Sequence, residues 1–211
     1  MSLTIRYVES GLIRRVEKID HSADITAEQW AQLERIKAKI VSGRSCGTCS
    51  LCCKVVGIPE MGNAPGSWCR HARPGKGCAI YATRPFLCRS AYCEWMTQPA
   101  LGPEWKPEVA KFVLYRSQDG KRLSAHVDPG FPNAWRRSPY YENIRQWAME
   151  AAWKMPNPHM VDVMVGEYTT VILPDGEVNL GVVGPDEQVR IERTFTATGV
   201  KVEVQKVKRA A

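Results

Sequence analysis

The chain has no long hydrophobic run. Cysteine aside, its longest uninterrupted apolar stretches are four residues, Ala79–Ala82 and Phe112–Tyr115. A membrane-spanning helix needs about 20, so none is expected. The segment after Met1 has no basic stretch leading into an apolar one. No secretory signal is therefore expected, and the reading is a cytoplasmic protein. Its 16 glycines and 14 prolines form no repeat, which excludes collagen-like and low-complexity classes. Neither G-x-G-x-x-G nor a Walker-type G-x-x-x-x-G-K-[ST] occurs, so no standard dinucleotide or P-loop site is indicated. Most telling is where cysteine is missing: 163 of the 211 residues have none, and all eight lie between Cys46 and Cys93.

The remaining composition, 44% apolar and 24% charged, is that of a globular protein large enough to bury a core. Formal net charge is +7, which alone would suggest a phosphate-rich partner. The charge is dispersed, however, and residues 156–211 carry six basic against eight acidic side chains. Nucleic acid is not the expected partner. Any such contact would fall on Arg136, Arg137, Lys206, Lys208 and Arg209.

Periodicity divides the chain into four parts and predicts an α+β fold: a cysteine-rich, metal-stapled segment between an N-terminal helix and a C-terminal, mainly antiparallel β unit. Residues 1–45 hold a short strand at Leu3–Tyr7 and then a helix. Thr26 and Gln29 form a T-x-x-Q capping box, Trp30, Leu33, Ile36 and Ile40 recur at helical spacing, and Gly43 is the stop. Residues 46–95 form the cysteine segment. Its stretch from Gly57 to Gly77 has five glycines and three prolines in 21 residues, a loop that needs pinning. Residues 96–155 supply a hairpin, Phe112–Arg116 and Arg122–Val127 joined at Asp119-Gly120, then a helix. Ser138 is its expected N-cap and Pro139 its first residue, with Tyr141, Ile144 and Ala148 facing inward. Residues 156–211 alternate as strands: Val161 to Val165, Tyr168–Leu173 with Glu177–Val182, and Val189–Phe195 with Val200–Val207.

Thiols crowded together in a reducing compartment are most often metal ligands. Cys46, Cys49 and Cys52 follow one another at C-x2-C spacing, where a tight turn aims two sulfurs at one ion. Cys53 follows Cys52 directly. Adjacent residues are poorly placed to share one tetrahedral zinc, so one of them belongs to a second site or to a cluster of wider reach. Cys69, Cys78, Cys88 and Cys93 are too far apart to chelate locally and must be gathered by the fold. The eight thiols thus divide into two four-ligand sites, or one cluster plus one ion. Six basic against two acidic side chains in residues 46–95 would offset the negative charge of two thiolate centres. The expected cofactor is an iron–sulfur cluster or zinc, with iron favoured because C-x2-C-x2-C followed by an adjacent cysteine suits a cluster.

These residues carry a resemblance. Cys46, Cys49, Cys52 and Cys53, the distant Cys69, the stretch Gly77-Cys78-Ala79-Ile80-Tyr81-Ala82-Thr83-Arg84-Pro85-Phe86-Leu87-Cys88-Arg89, and Cys93 resemble the YkgJ-like cysteine-cluster proteins, described as a zinc- or iron-chelating domain. The likeness covers less than a quarter of the chain. It implies metal ions as partners and all eight cysteines as ligands.

Arg84 and Arg89 either donate to ligating sulfurs or pair with acidic side chains or carbonyls. His71 is either a replacement ligand or a loop histidine. Two alternative functions stay open: a cluster-dependent transferase or oxidoreductase, and a metal-stabilised adaptor meeting a protein or nucleic-acid partner. For the enzyme, His126, Asp128 and His159 are isolated candidates without partners readable in the sequence.

Overall fold

The computed structural model describes residues 24–58, 61–156, 159–197 and 199–209. The strand expected at Leu3–Tyr7 lies outside them. Helix α1 spans Ala27–Lys37 and starts on the expected capping box: Thr26 Oγ1 accepts the Gln29 amide at 3.2 Å and Gln29 Oε1 accepts the Thr26 amide at 2.9 Å. It ends before Gly43, and its apolar stripe is thinner than the spacing predicts. Leu33 is its buried residue, whereas Trp30 is 40% exposed under the guanidinium of Arg89.

Among its described residues the cysteine segment contains short elements: α2 (Cys52–Val55), the two-residue strands β1 (Ala72–Arg73) and β2 (Gly77–Cys78), a 3-10 turn at Tyr81–Thr83, α3 (Phe86–Ser90) and α4 (Glu94–Thr97). A 3-10 turn at Pro103–Trp105 and α5 (Pro107–Ala110) lead into β3 (Phe112–Arg116) and β4 (Arg122–Val127). These two strands pair antiparallel round Asp119-Gly120, as turn chemistry predicts. Helix α6 follows at Tyr140–Ala152. It begins one residue later than expected: Pro139 is the cap residue, not the first helical one, and Ser138 supplies no side-chain cap.

Strands β5 (Met160–Val165), β6 (Tyr168–Ile172) and β7 (Glu177–Val182) complete a five-stranded sheet ordered β3-β4-β5-β6-β7. Pairing is antiparallel except between β4 and β5, which run parallel. A parallel neighbour requires a crossover, which α6 provides. Strands β8 (Glu187–Thr196) and β9 (Gly199–Lys208) form a separate antiparallel hairpin. Its Val189, Ile191 and Val202 pack with Val171 and Leu173. The fold is α+β.

Alternation gives the five-stranded sheet two different faces. Phe112, Leu114, Leu123, Ala125, Val161 and Val163 pack with Ile144 and Ala148 of α6. Trp105, Phe112 and Tyr140 close this core edge to face, with centroids 5.0–6.0 Å apart. Ile144 and Ala148 are buried on the helix's inner face as expected, with Tyr140, Ala151 and Ala152, while Tyr141 is only half-buried. The opposite face carries Val113 and Tyr115 on β3 and Ser124 and His126 on β4. Val113 is fully buried there against Leu51 and Val55 of the cysteine segment. The sheet thus carries a hydrophobic core on one side and the cysteines on the other.

Candidate metal centre

A small set of backbone bonds ties the cysteine segment together, and Leu51 and Val55 pack it onto Val113 of β3. The Cys49 amide donates to the Cys46 carbonyl at 2.8 Å, closing the first C-x2-C turn, and the Cys53 amide donates to the Ser50 carbonyl at 2.9 Å. The Cys69 amide returns to the Cys53 carbonyl at 2.8 Å, so the distant cysteine is tied to α2 by main chain. Cys78 lies opposite Ala72 in the β1–β2 pair, and the Ala79 amide donates to the His71 carbonyl at 2.9 Å. Gly77 makes this pair possible: at φ +88° it adopts a left-handed conformation, and a Cβ there would come within 3.0 Å of the Gly47 carbonyl. Cys88 sits in α3 and Cys93 caps α4. Arg44 clamps the following segment to Cys46 by donating to the carbonyls of Trp95, of Gln98 at 2.9 Å and of Leu101 at 2.7 Å.

This path sorts the thiols into two sets of four. Cys46, Cys49, Cys52 and Cys93 line one small cavity of about 30 Å3, walled also by Tyr92, Trp95, Met96, Val113 and Tyr115. Such a volume has room for an ion or a water or two. Cys53, Cys69, Cys78 and Cys88 gather in a different cluster with Ile58, Met61 and Ile80. Adjacent Cys52 and Cys53 thus fall into different sets. All eight are free thiols; Cys69 is buried and the other seven are half-buried. The first set shares a cavity and the second a packing cluster. Among the described residues, no three His, Cys, Asp or Glu side chains stand close enough together to hold an ion as they are.

Their acidities follow from burial and from one another. Burial raises Cys49 and Cys78, and pushes Cys93 up to about 11 and Cys88 up to about 12. Cys52 and Cys53 are the exception, with sulfurs 4.0 Å apart. The hydrogen bond between them raises Cys52 well above the ordinary thiol range and, together with the nearby Arg84 charge, lowers Cys53 to about 7. Tyr115, buried against the first set, is also raised, first by burial and then by Cys52 and Cys93.

The two arginines separate. Arg89 donates to the carbonyls of Ala82 and, at 2.7 Å, of Arg84, so carbonyls are its partners. Arg84 stacks on Tyr81, 3.9 Å from the ring centroid, with its charge felt by Cys53, Cys78 and Cys88. Lys54 turns away to Asp128 at 2.6 Å. His126 packs edge-on to Tyr115 at 5.7 Å, and His159 lies beside Lys121 and Lys154. Neither lines the first cysteine cavity. Arg136 is held bidentate by Glu177 at 2.8 and 2.6 Å, and Lys206 lies 3.4 Å from Glu187.

Sequence reasoning missed Trp95, Tyr92 and Tyr115 as walls of the first cavity. One signal was available: Phe112–Tyr115 is apolar at every position, which marks a strand covered on both faces. Among the described residues no helix is long and apolar enough to cross a membrane. Comparison with protein-family models, curated proteins and solved structures finds no match to this chain.

Proposed function

We propose that this is a metal-binding protein whose eight cysteines supply two four-thiolate centres for zinc or iron, the iron as a cluster or as single ions. One observation carries the reading: the fold divides eight free thiols four and four, and one set encloses a common cavity. Cys46, Cys49, Cys52 and Cys93 would hold one centre, and Cys53, Cys69, Cys78 and Cys88 the other. Four thiolates are a sufficient donor set for zinc or for iron–sulfur ligation. Their resemblance to the YkgJ-like cysteine-cluster proteins points the same way.

The raised pKa values of Cys49, Cys52, Cys78, Cys88 and Cys93 fit the reading, because a metal would replace the protons that burial retains. A bound cation deprotonates a coordinating thiol outright and draws the sulfurs inward. The stretch from Gly57 to Gly77 is rich in glycine and proline, and metal ligation would supply stability that so small a local core does not. Free thiols also accord with a reducing, cytoplasmic setting.

The test is anaerobic purification followed by zinc, iron and acid-labile sulfide analysis with an absorption spectrum of the same sample. Metal near two zinc per chain, or iron with sulfide and a broad band near ~400 nm, is expected. A stably folded chain with neither metal overturns the reading.

A further inference from the structure

Among the described residues of the cysteine segment, two side-chain N–H groups are buried and have no acceptor: Arg84 Nε and Trp95 Nε1. Buried donors are nearly always satisfied, so each calls for a physical explanation. Each belongs to a residue beside one of the cysteine sets. Trp95 walls the cavity of Cys46, Cys49, Cys52 and Cys93. Its ring is fixed between two cations, with the Arg44 guanidinium 5.0 Å and the Lys106 ammonium 5.8 Å from its centroid. Arg84 sits between the Tyr81–Thr83 turn and the helix that carries Cys88, held against the Tyr81 ring at 3.9 Å. Its charge acts on Cys53, Cys78 and Cys88.

A neutral thiol is a weak acceptor. A metal-bound thiolate carries negative charge and accepts a charge-assisted N–H bond. The geometry points to Trp95 Nε1 and Arg84 Nε as hydrogen-bond donors to metal-bound sulfur, Trp95 at the first set and Arg84 at the second; this rests on the two-centre reading above. Each is a positioning residue whose N–H lacks an acceptor in the metal-free chain and gains one once thiolate forms. Such partners typically contribute 10- to 100-fold to metal affinity.

The experiment titrates the full, reduced chain with Zn2+ and with Co2+ against a competing chelator, and compares melting of the metal-free and loaded forms. Wild type is expected to take up two ions. Trp95→Phe keeps an aromatic ring, smaller than the indole, and removes the donor; Arg84→Met removes the donor and the charge. Each is expected to weaken one of the two sites by about tenfold or more and to shift the sulfur-to-cobalt charge-transfer band of that site alone. Arg84→Lys, which keeps the charge without the planar N–H, is expected to recover part of the loss. The metal-free chain should lose only what the ring contacts supply, those of Trp95 with Arg44 and Lys106 and of Arg84 with Tyr81, while melting of the loaded chain should fall further. If both variants bind with wild-type affinity and spectrum, the inference falls and the two-centre reading stands. Equal loss of stability in metal-free and loaded chains would make the residues merely structural and also overturn the inference. A wild-type chain that binds neither ion overturns the two-centre reading and the inference together.

Discussion

Cys52 and Cys53 are consecutive, their sulfurs are 4.0 Å apart, and they belong to different thiol sets. The short helix Cys52–Val55 turns the first toward Tyr115 and Cys93 and the second toward Cys69 and Cys88. One peptide unit is therefore the hinge between two regions that are otherwise assembled from separate stretches of chain.

If that division governs binding, single serine substitutions act on halves of the metal complement. Cys52→Ser and Cys93→Ser should each cost one centre and leave the other. Cys53→Ser and Cys88→Ser should do the converse, and Cys52→Ser with Cys53→Ser together should abolish both. Elemental analysis of each purified variant is the check. Loss of all metal from every single variant would mean one shared centre and would defeat the division.

The same pair predicts an order of reactivity in the metal-free chain. The thiolate is the nucleophile, and Cys53 is lowered to about 7 by the Cys52 hydrogen bond and by Arg84. Cys93 and Cys88 are pushed up by burial to about 11 and about 12. At pH 7.5, iodoacetamide should therefore modify Cys53 well before Cys88 or Cys93. Peptide mass spectrometry over a time course would show it; equal rates at the three sites would contradict the local electrostatics.

What the sequence disclosed was local chemistry. The Thr26–Gln29 capping box and the Asp119-Gly120 hairpin depend on contacts within a few residues, and both formed. The confinement of cysteine identified the candidate site, and the awkwardness of neighbouring cysteines already suggested two centres. Other features depend on long-range placement. The β4–β5 pairing joins Ser124 to Asp162 across the whole of α6, and no period-2 pattern specifies its partner. Trp30 has the right spacing for a core residue but sits at the surface under Arg89. Trp95 and Tyr115 reach the cysteines only because β3 and α4 are brought together, which spacing along the chain does not encode.

Alkaline pH should loosen the metal-free chain. Cys88 and Cys93 have folded values of about 12 and about 11, against about 8.5 for an unfolded thiol. Between those limits the folded chain holds protons that the unfolded chain has released, so stability falls as pH rises. The contribution is fully present below about 8.5 and lost progressively toward 12. Cys53 works oppositely, favouring the fold as pH rises from about 7 to about 8.5. Urea midpoints of the reduced, metal-free chain should therefore decline from pH 9 to pH 11. A midpoint that rises over this interval would refute the assignment.

The parallel β4–β5 junction offers a stability test independent of metal. Asp162 is fully buried and receives three hydrogen bonds: Arg122 Nε at 2.7 Å, an Arg122 terminal nitrogen at 2.8 Å, and Ser124 Oγ at 2.8 Å. The two partners are not equivalent, because the Arg122 side chain is 38% exposed and Asp162 is not. Removing the carboxylate leaves a guanidinium that can turn to water. Removing the guanidinium leaves a buried carboxylate with one hydroxyl donor from Ser124. Breaking a buried pair from the side that strands a charge costs roughly 3–5 kcal/mol. Arg122→Ala is therefore expected near that range and Asp162→Asn well below it, at about 1–3 kcal/mol for a weakened network. Urea unfolding of both variants in one buffer gives the comparison, and a larger loss for Asp162→Asn would show that this pair does not stabilise the sheet in the way its burial implies.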